Sequence, residues 1–187
     1  MQIFFIDYDP KKIAQQQCDK HCVKMPTEIM QIISTVWQIS SPIQAADYFA
    51  RGWLYKPVRN YTHPAIRWVG QSLENYVWAV HFLAEMCLEF EFRYKHHHFC
   101  INFLPFLCEK MTLPHLPNIP FVKMSEDFQA IPEEYKREDP VVAYRMFYIV
   151  EKSRFAVWRK AGREAPEWYT EGLNYYLAEK LKLMEVK

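Results

Sequence analysis

Residues 6–37 read IDYDPKKIAQQQCDKHCVKMPTEIMQIISTVW, and this stretch decides how the rest of the chain must fold. Its apolar residues recur at the 3.6-residue spacing of a helix with one buried face. Asp9-Pro10 is typical of a helix start, because Asp caps free amides and Pro fits the first helical position. Pro26 predicts a kink or a restart, with Thr27 as the new cap. We therefore predict an amphipathic helix that is interrupted near its middle.

Ionisable side chains flank the apolar face of this helix. Lys20, Lys24 and Glu28 fall on one line beside the buried face, within about two and a half helical turns, and His21 lies next to them. A half-buried lysine beside other charges can act as a nucleophile or bind a phosphate. The alternative is an ordinary amphipathic helix, in which Glu28 pairs with Lys24 and the lysines extend into solvent.

The composition favours a helical protein with a large apolar core. The chain has 187 residues, of which 50% are hydrophobic and 17% aromatic, enough for one domain with a sizeable core. We predict a mainly α, single-domain helical bundle over residues 1–187. The apolar run MQIFFI at residues 1–6 is of strand type, so one short N-terminal β-strand or hairpin is an option.

Charge and cysteine usage limit the classes of partner. A net charge of +1 argues against a protein that coats nucleic acid through bulk charge, although it permits a local basic groove. Five cysteines, an odd number, indicate reduced thiols in a cytosolic compartment, and no signal peptide is expected. Cys18, His21 and Cys22 match no standard zinc spacing, so we expect neither a metal nor a cofactor. No apolar run is long enough to span a bilayer, so no membrane partner is expected.

An aromatic and basic loop follows at residues 53–63, WLYKPVRNYTH. It includes Tyr55, Tyr61 and His63. Basic residues interleaved with aromatic ones suit an unstacked nucleotide, which they can hold by stacking and charge. The alternative is a loop whose rings lie on the core.

Two further helices carry candidate binding residues. A helix is predicted from Pro64 almost to His96, with a small break at Gly70, and in it Asn75 is either a substrate contact or a buried hydrogen-bonding residue. A second helix is predicted from Asp139-Pro140 to about residue 162, in the most basic part of the chain. It carries three candidates for phosphate or base contact, Arg145, Tyr148 and Lys152. A solvated helical face is the alternative.

Several short motifs resemble, in chain order, those of a group of small phage and bacterial proteins. The matching residues are Asp9-Pro10, Cys18-Asp19-Lys20-His21 with Val23-Lys24-Met25 and Glu28, then His63-Pro64, Trp68, Ser72, Asn75, Tyr76 and Trp78, and finally Asp139-Pro140, Ala143-Tyr144-Arg145 and Pro166-Glu167-Trp168. The resemblance covers about residues 1–169 and leaves residues 169–187 as a C-terminal helical addition. Members in phage genomes are often labelled pyrimidine-dimer DNA glycosylases, while others carry no label.

This resemblance implies a cytoplasmic DNA-processing enzyme, in a bacterium or a phage-infected host, of glycosylase/lyase type on a damaged or modified pyrimidine base. The well-understood phage enzymes attack with the amine of an N-terminal Thr, whereas here the bulky Gln2 should prevent removal of Met1. The resemblance therefore implies a side-chain amine or a carboxylate-activated water. The catalytic candidates are Lys20 and Lys24 as amines, Glu28 and Asp7 as carboxylates, and His21 as a proton shuttle. The substrate-binding candidates are Asn75, Tyr55, Tyr61, His63, Arg145, Lys152 and Tyr148.

Two alternatives stay open on the same residues. One is a phage-type transferase or phosphate-processing enzyme that modifies nucleotides or DNA bases, with the lysines and Arg145 as phosphate ligands. The other is a non-catalytic protein that sequesters a nucleotide or a host protein. DNA or a nucleotide is the expected partner, and the oligomeric state is left open.

Overall fold

A computed structural model describes residues 1–109 and 113–185, with side chains to residue 182. Eight α-helices account for most of these residues, and short 3₁₀ helices lie at Phe99–Phe103, Glu126–Phe128 and Glu133–Tyr135. The α-helices are α1 (Pro10–Gln16), α2 (Asp19–Ser40), α3 (Pro42–Ala50), α4 (Pro64–Val69), α5 (Leu73–Tyr94), α6 (Leu104–Leu107), α7 (Pro140–Lys152) and α8 (Glu167–Glu185). The mainly α prediction is confirmed.

Helix α2 lies at the centre of the fold and packs against α3, α4 and α5. Its apolar face is fully buried, as the 3.6-residue spacing predicts. The predicted restart at Pro26 is wrong, because α2 runs through Pro26 without interruption. The break lies earlier, where the Cys18 N–H donates to Tyr148 Oη at 2.9 Å and the Asp19 N–H donates to Val157 O at 2.9 Å. These partners come from the last third of the chain, so the local pattern could not show the break.

The N-terminal segment, residues 1–9, runs between α2 and α7 and bends at residues 6–9, where the Ile6 N–H donates to Phe4 O at 2.9 Å. Phe4 stacks on His21 with 4.4 Å between ring centroids, and Phe5 packs on the opposite side against the rings of Trp68 and Trp78. The optional N-terminal β-strand is not formed, since no described residue belongs to a strand that could pair with it. Side chains bond the segment instead, including Arg145 Nε, which donates to Ile6 O at 2.9 Å.

Two predicted helices are shorter than expected. The helix from Pro64 divides into α4 and α5, and Ser72 Oγ caps α5 by accepting from the Asn75 N–H at 3.1 Å. Helix α7 ends at Lys152, well short of residue 162. The chain then turns back so that the Arg159 N–H donates to Asp19 Oδ2 at 2.7 Å. This return brings the end of α7 beside the start of α2.

A buried ion network holds that junction together. Arg93, whose side chain is fully buried, contacts Asp19 at 3.0 Å and Glu89 at 2.6 Å. Its remaining nitrogen donates to Gln15 O at 2.9 Å. Arg163 reaches the same Glu89 carboxylate at 2.7 Å. The network therefore joins α1, α2, α5 and the segment after α7.

Two kinds of feature are missing from the part of the chain that the structure describes. None of its helices combines the length and the apolar character required to cross a bilayer. Nor does it bring three or more His, Cys, Asp or Glu side chains together in a way that could hold a metal ion.

Candidate active site

A cleft of about 350 Å³ opens between the N-terminal segment, α2 and the end of α7. Five residues predicted from the sequence line it, namely Lys20, His21, Lys24, Glu28 and Lys152. The other lining residues are Met1, Gln2, Phe4, Met25 and Phe155. The central helix and the late basic helix therefore do bring ionisable side chains to one cavity. We call this cavity the amine cleft.

Glu28 lies in the wall of the amine cleft between two amines. Its side chain is 9% exposed, and its Oε1 is 2.6 Å from Nζ of Lys24, which is 63% exposed. Its Oε2 is 3.8 Å from the α-amine of Met1. This α-amine is not among the residues predicted from the sequence, because the bulky Gln2 bears on whether Met1 is removed but not on where a retained Met1 lies.

Positive charge dominates the rest of the amine cleft. Nζ of Lys20 lies 4.6 Å from the ring centroid of Phe155, at the mouth of the cleft. Burial lowers the pKa of Lys152. The negative charge of Glu151 raises this pKa, whereas the positive charges of Arg154 and Lys24 lower it. Three lysines and one α-amine face a single carboxylate, Glu28. A cleft of this kind attracts an anion such as a DNA phosphate.

His21 forms the floor of the amine cleft as a neutral imidazole. Its Nδ1 is 2.7 Å from Tyr148 Oη, and its ring is packed between Phe4 and Phe155. Burial, together with the positive charges of Lys152, Lys24 and Lys20, lowers the pKa of His21 to about 3. At neutral pH the ring therefore adds no charge to the cleft.

Acidification from pH 6.5 towards pH 3 is expected to destabilise the protein through His21. In the unfolded chain this ring takes up a proton near pH 6.5, whereas in the folded protein it stays neutral down to about pH 3. The unfolded state then binds more protons, so the free energy of unfolding falls with pH by up to about 1.4 kcal/mol per unit. Urea unfolding at pH 7, 6, 5 and 4 measures the slope. His21→Gln should make it shallower, and equal slopes in both proteins would contradict the assignment.

His63 lies beside the amine cleft, near Met1 and Glu28. Its Nδ1 caps α4 by accepting from the Ala65 N–H at 3.2 Å. Burial is the main cause that lowers the pKa of His63, and the positive α-amine of Met1 lowers it further. The charge of Glu28 and a hydrogen bond to the Met1 backbone partly offset this shift by raising the pKa. The loop before α4 thus closes the cleft on the side of the α-amine.

Asp7 and Arg145 lie outside the amine cleft and hold the N-terminal segment. Arg145 donates from Nε to Ile6 O, and its Nη2 is 3.7 Å from Asp7 Oδ2. Its guanidinium also lies 5.2 Å from the Trp168 ring centroid. These contacts fix the segment that carries Met1 into the cleft, so both residues act on the site indirectly.

Asn75 is fully buried and bonded on both sides of its amide. Its Nδ2 donates to Trp68 O and Val122 O, each at 3.0 Å, and its Oδ1 accepts from the Val122 N–H at 2.8 Å. The side chain is out of reach of a substrate in this structure. It fits the buried hydrogen-bonding alternative, since it ties the loop at Val122 to the start of α5.

Asn75→Ala is expected to lower the free energy of unfolding by about 3 kcal/mol, because it leaves the partly buried Val122 N–H without its acceptor and removes the two bonds that the amide donates to Trp68 O and Val122 O. Urea denaturation measures the change. Asn174→Ala, on the exposed side of α8, is the matched control and should stay within about 0.5 kcal/mol. A change equal to that of the control would show that Asn75 does not hold the loop.

Tyr55 and Tyr61 lie in different places. Tyr55 lines an open groove of about 500 Å³ together with Gln31, Phe49, Gly52, Leu54, Lys56, Pro57, Phe99 and Phe103, which we call the aromatic groove. Gln31 follows Glu28 by three residues on α2, so the aromatic groove and the amine cleft lie along the same side of that helix. Tyr61 lies in a separate depression beside Ile39 and Arg67.

Comparison with known proteins places the chain in a family. A family model described as pyrimidine dimer DNA glycosylase matches residues 1–102. The matched part contains Met1, Lys24, Glu28 and His63, whereas Lys152 lies beyond it. A search of curated proteins and a search of solved structures each gave no match. Because the match spans more than half of the 187 residues, the chain belongs to the pyrimidine dimer DNA glycosylase family.

Proposed function

We propose that this protein is a DNA glycosylase/lyase acting on a damaged or modified pyrimidine base, with the amine cleft as its active site. The observation that supports this most directly is the buried Glu28 carboxylate held within reach of two amines. The family match supports DNA as the substrate. The surrounding lysines supply the positive charge that would hold a phosphate beside the reacting sugar.

The proposed reaction uses an amine as the nucleophile. Glu28 takes a proton from the ammonium form, and the free amine attacks C1′ of the damaged nucleotide as the bond to the base breaks. The base leaves with the bonding electron pair and takes up a proton. Opening of the sugar ring gives an imine, loss of a proton from C2′ expels the 3′ phosphate by β-elimination, and water then hydrolyses the imine.

Two amines compete for this role. Lys24 is the side-chain amine that the sequence analysis named, and its Nζ is the closer to Glu28, but it is largely exposed. The α-amine of Met1 is buried beside Glu28. Amino-terminal amines as a class release a proton more easily than lysine side chains do. For a chain that starts at Met1 with a free amine we therefore favour the α-amine, with Lys24 as the alternative.

Borohydride trapping tests the function and separates the two amines. The protein, whose amino terminus is first established by intact mass, is incubated with a duplex carrying a cyclobutane pyrimidine dimer and reduced with borohydride. We expect a covalent adduct whose peptide map places it on Met1. The adduct should persist in Lys24→Met and disappear when three residues are added before Met1. An adduct on Lys24 would transfer the role to that side chain.

The undamaged duplex of the same sequence is the control. If a panel of damaged and modified pyrimidines gives neither an adduct nor base release, the glycosylase proposal is overturned.

The lysine-rich rim would then favour the second candidate, a protein that binds or modifies nucleotides through their phosphates. Tight nucleotide binding by wild-type protein, weakened by Lys152→Met, would support that candidate. A chain with only four glycines lacks the Gly-rich loop of a standard kinase.

We also propose that an unstacked part of the DNA strand occupies the aromatic groove. Phe99 is 64% exposed there, beside Phe49, Tyr55 and Lys56, and rings and cations of this kind bind bases and phosphates together. Phe99→Ala should weaken binding of damaged duplex about tenfold, measured by fluorescence anisotropy. Leu88→Ala, a similarly exposed apolar side chain on α5, is the control. Equal affinity of both variants for damaged duplex would show that the aromatic groove does not bind DNA.

A further inference from the structure

Tyr148 lies fully buried directly beneath the amine cleft, where its hydroxyl is bonded to Cys18 and His21. The Cys18 N–H donates to its Oη at 2.9 Å, and Nδ1 of His21 is 2.7 Å from the same oxygen. The phenol has a single proton, and a buried hydroxyl needs an acceptor for it. Cys18 offers a backbone donor and, in its thiol, only a weak acceptor, so the strong acceptor for the phenol proton is Nδ1 of His21. The Tyr148 O–H therefore donates to an unprotonated Nδ1.

This bond decides where His21 carries its proton. A neutral imidazole with a bare Nδ1 has its N–H at Nε2. Nε2 has no hydrogen-bond partner within the part of the chain that the structure describes, while the ring itself lines the amine cleft. The structure thus holds a donor ready for a group that enters the cleft.

We infer that Tyr148 is a positioning residue that fixes His21 in the Nε2–H tautomer, so that His21 acts as a neutral hydrogen-bond donor to a carbonyl oxygen of the departing pyrimidine. This inference rests on the proposed glycosylase function for the identity of the acceptor. As the base leaves with the bonding electrons, negative charge develops on its carbonyl oxygens. A donor already aimed at that position stabilises the charge without a proton transfer.

The surroundings of His21 support a neutral donor over a proton shuttle. Lys20 and Lys24 face it from its own helix, and Lys152 faces it from α7. The rings of Phe4, Tyr148 and Phe155 close the other sides. An imidazolium ion in this place would sit among three ammonium groups and aromatic rings. His21 therefore acts as a neutral donor in this proposal, in place of the proton shuttle expected from the sequence.

Long-range ¹H–¹⁵N correlation spectra of protein labelled at histidine test the tautomer directly. The His21 signals are assigned by their loss in His21→Gln. We expect a neutral ring with the proton on Nε2 from pH 7 to pH 5 in the wild type. Tyr148→Phe should release the ring into a mixture of tautomers, whereas Tyr144→Phe should not. Tyr144 is the matched control because it is equally buried on α7 but bonds Ala130 instead.

A wild-type His21 that carries its proton on Nδ1, or that is charged at pH 5, would overturn the inference. This result does not depend on any substrate or on whether Tyr148→Phe folds. It is therefore distinct from failure of the glycosylase proposal, which trapping decides. A wild-type ring that is neutral and protonated on Nε2 supports the positioning role whatever the lesion proves to be.

Kinetics then test the role in the reaction. Tyr148→Phe should lower kcat for base release about tenfold with KM nearly unchanged, because the donor is needed only as charge develops. In His21→Gln the same change at Tyr148 should have no further effect on kcat. If the losses multiply instead, Tyr148 acts independently of His21 and the positioning role is excluded.

Discussion

Replacing Glu28 with glutamine is expected to reduce single-turnover base release about a thousandfold while the protein stays folded. Glutamine keeps the shape of the side chain but cannot take a proton from the amine that attacks the sugar, and a positioned base contributes about 10² to 10⁴ in rate. The exposed ammonium of Lys24 can be solvated without its partner, and the amide oxygen of glutamine still faces the buried α-amine of Met1, so the thermal midpoint should fall only slightly. Strand cleavage of a dimer-containing duplex at the deglycosylated nucleotide, with enzyme in excess, measures the rate.

Two matched variants make the Glu28 result decisive. Asp7→Asn removes the other carboxylate proposed from the sequence, which lies outside the amine cleft beside Arg145. It should reduce the rate far less than Glu28→Gln does. Glu179→Gln removes an exposed carboxylate that pairs with Lys182 on α8 and should leave the rate unchanged. If Glu28→Gln stays within tenfold of wild type, or if Asp7→Asn has the larger effect, Glu28 is not the base.

The starts of α1 and α7 could be predicted because their causes are local. The prediction from Asp9-Pro10 is confirmed, since Asp9 Oδ1 accepts from the Lys11 N–H at 2.9 Å. The prediction from Asp139-Pro140 is confirmed in the same way by the bond from the Val141 N–H at 2.8 Å. In each case the donor lies two residues after the cap, so the whole interaction is visible in the sequence.

Helix ends and segment pairings depended on remote partners. The break before α2 depends on Tyr148 and Val157, which no local pattern relates to Cys18. The contact of Arg145 also depends on a remote partner. Its charge suggested a phosphate contact, but its Nε donates to the backbone oxygen of Ile6. The spacing of Lys20, Lys24 and Glu28 on one helix predicted that they lie together. The position of the Met1 α-amine beside Glu28 could not be predicted, because it depends on how residues 1–9 pack in three dimensions.

Arg93→Met is expected to lower the free energy of unfolding by about 3 to 5 kcal/mol, because it leaves the buried Asp19 carboxylate without a cation and removes one of the two cations of Glu89. Arg93 contacts Asp19 and Glu89 with a side chain that is fully buried, and only Glu89 has a second arginine, Arg163. Urea unfolding at neutral pH measures the loss. Arg51→Met is the matched control, since Arg51 pairs with Asp47 on an exposed helix surface and should contribute less than about 1 kcal/mol.

Salt separates the buried network from the surface pair. In 1 M NaCl charges are screened over about 3 Å, so the small effect of Arg51→Met should vanish, whereas the effect of Arg93→Met should persist because solvent ions do not reach Asp19. Asp19 is the first residue of α2, and its carboxylate also accepts from the Arg159 N–H that brings back the chain after α7. The network therefore sets both walls of the amine cleft, and base release should fall along with stability. A loss below about 1 kcal/mol, or one that salt removes, would mean that water enters the network and that α2 is positioned by its apolar face alone.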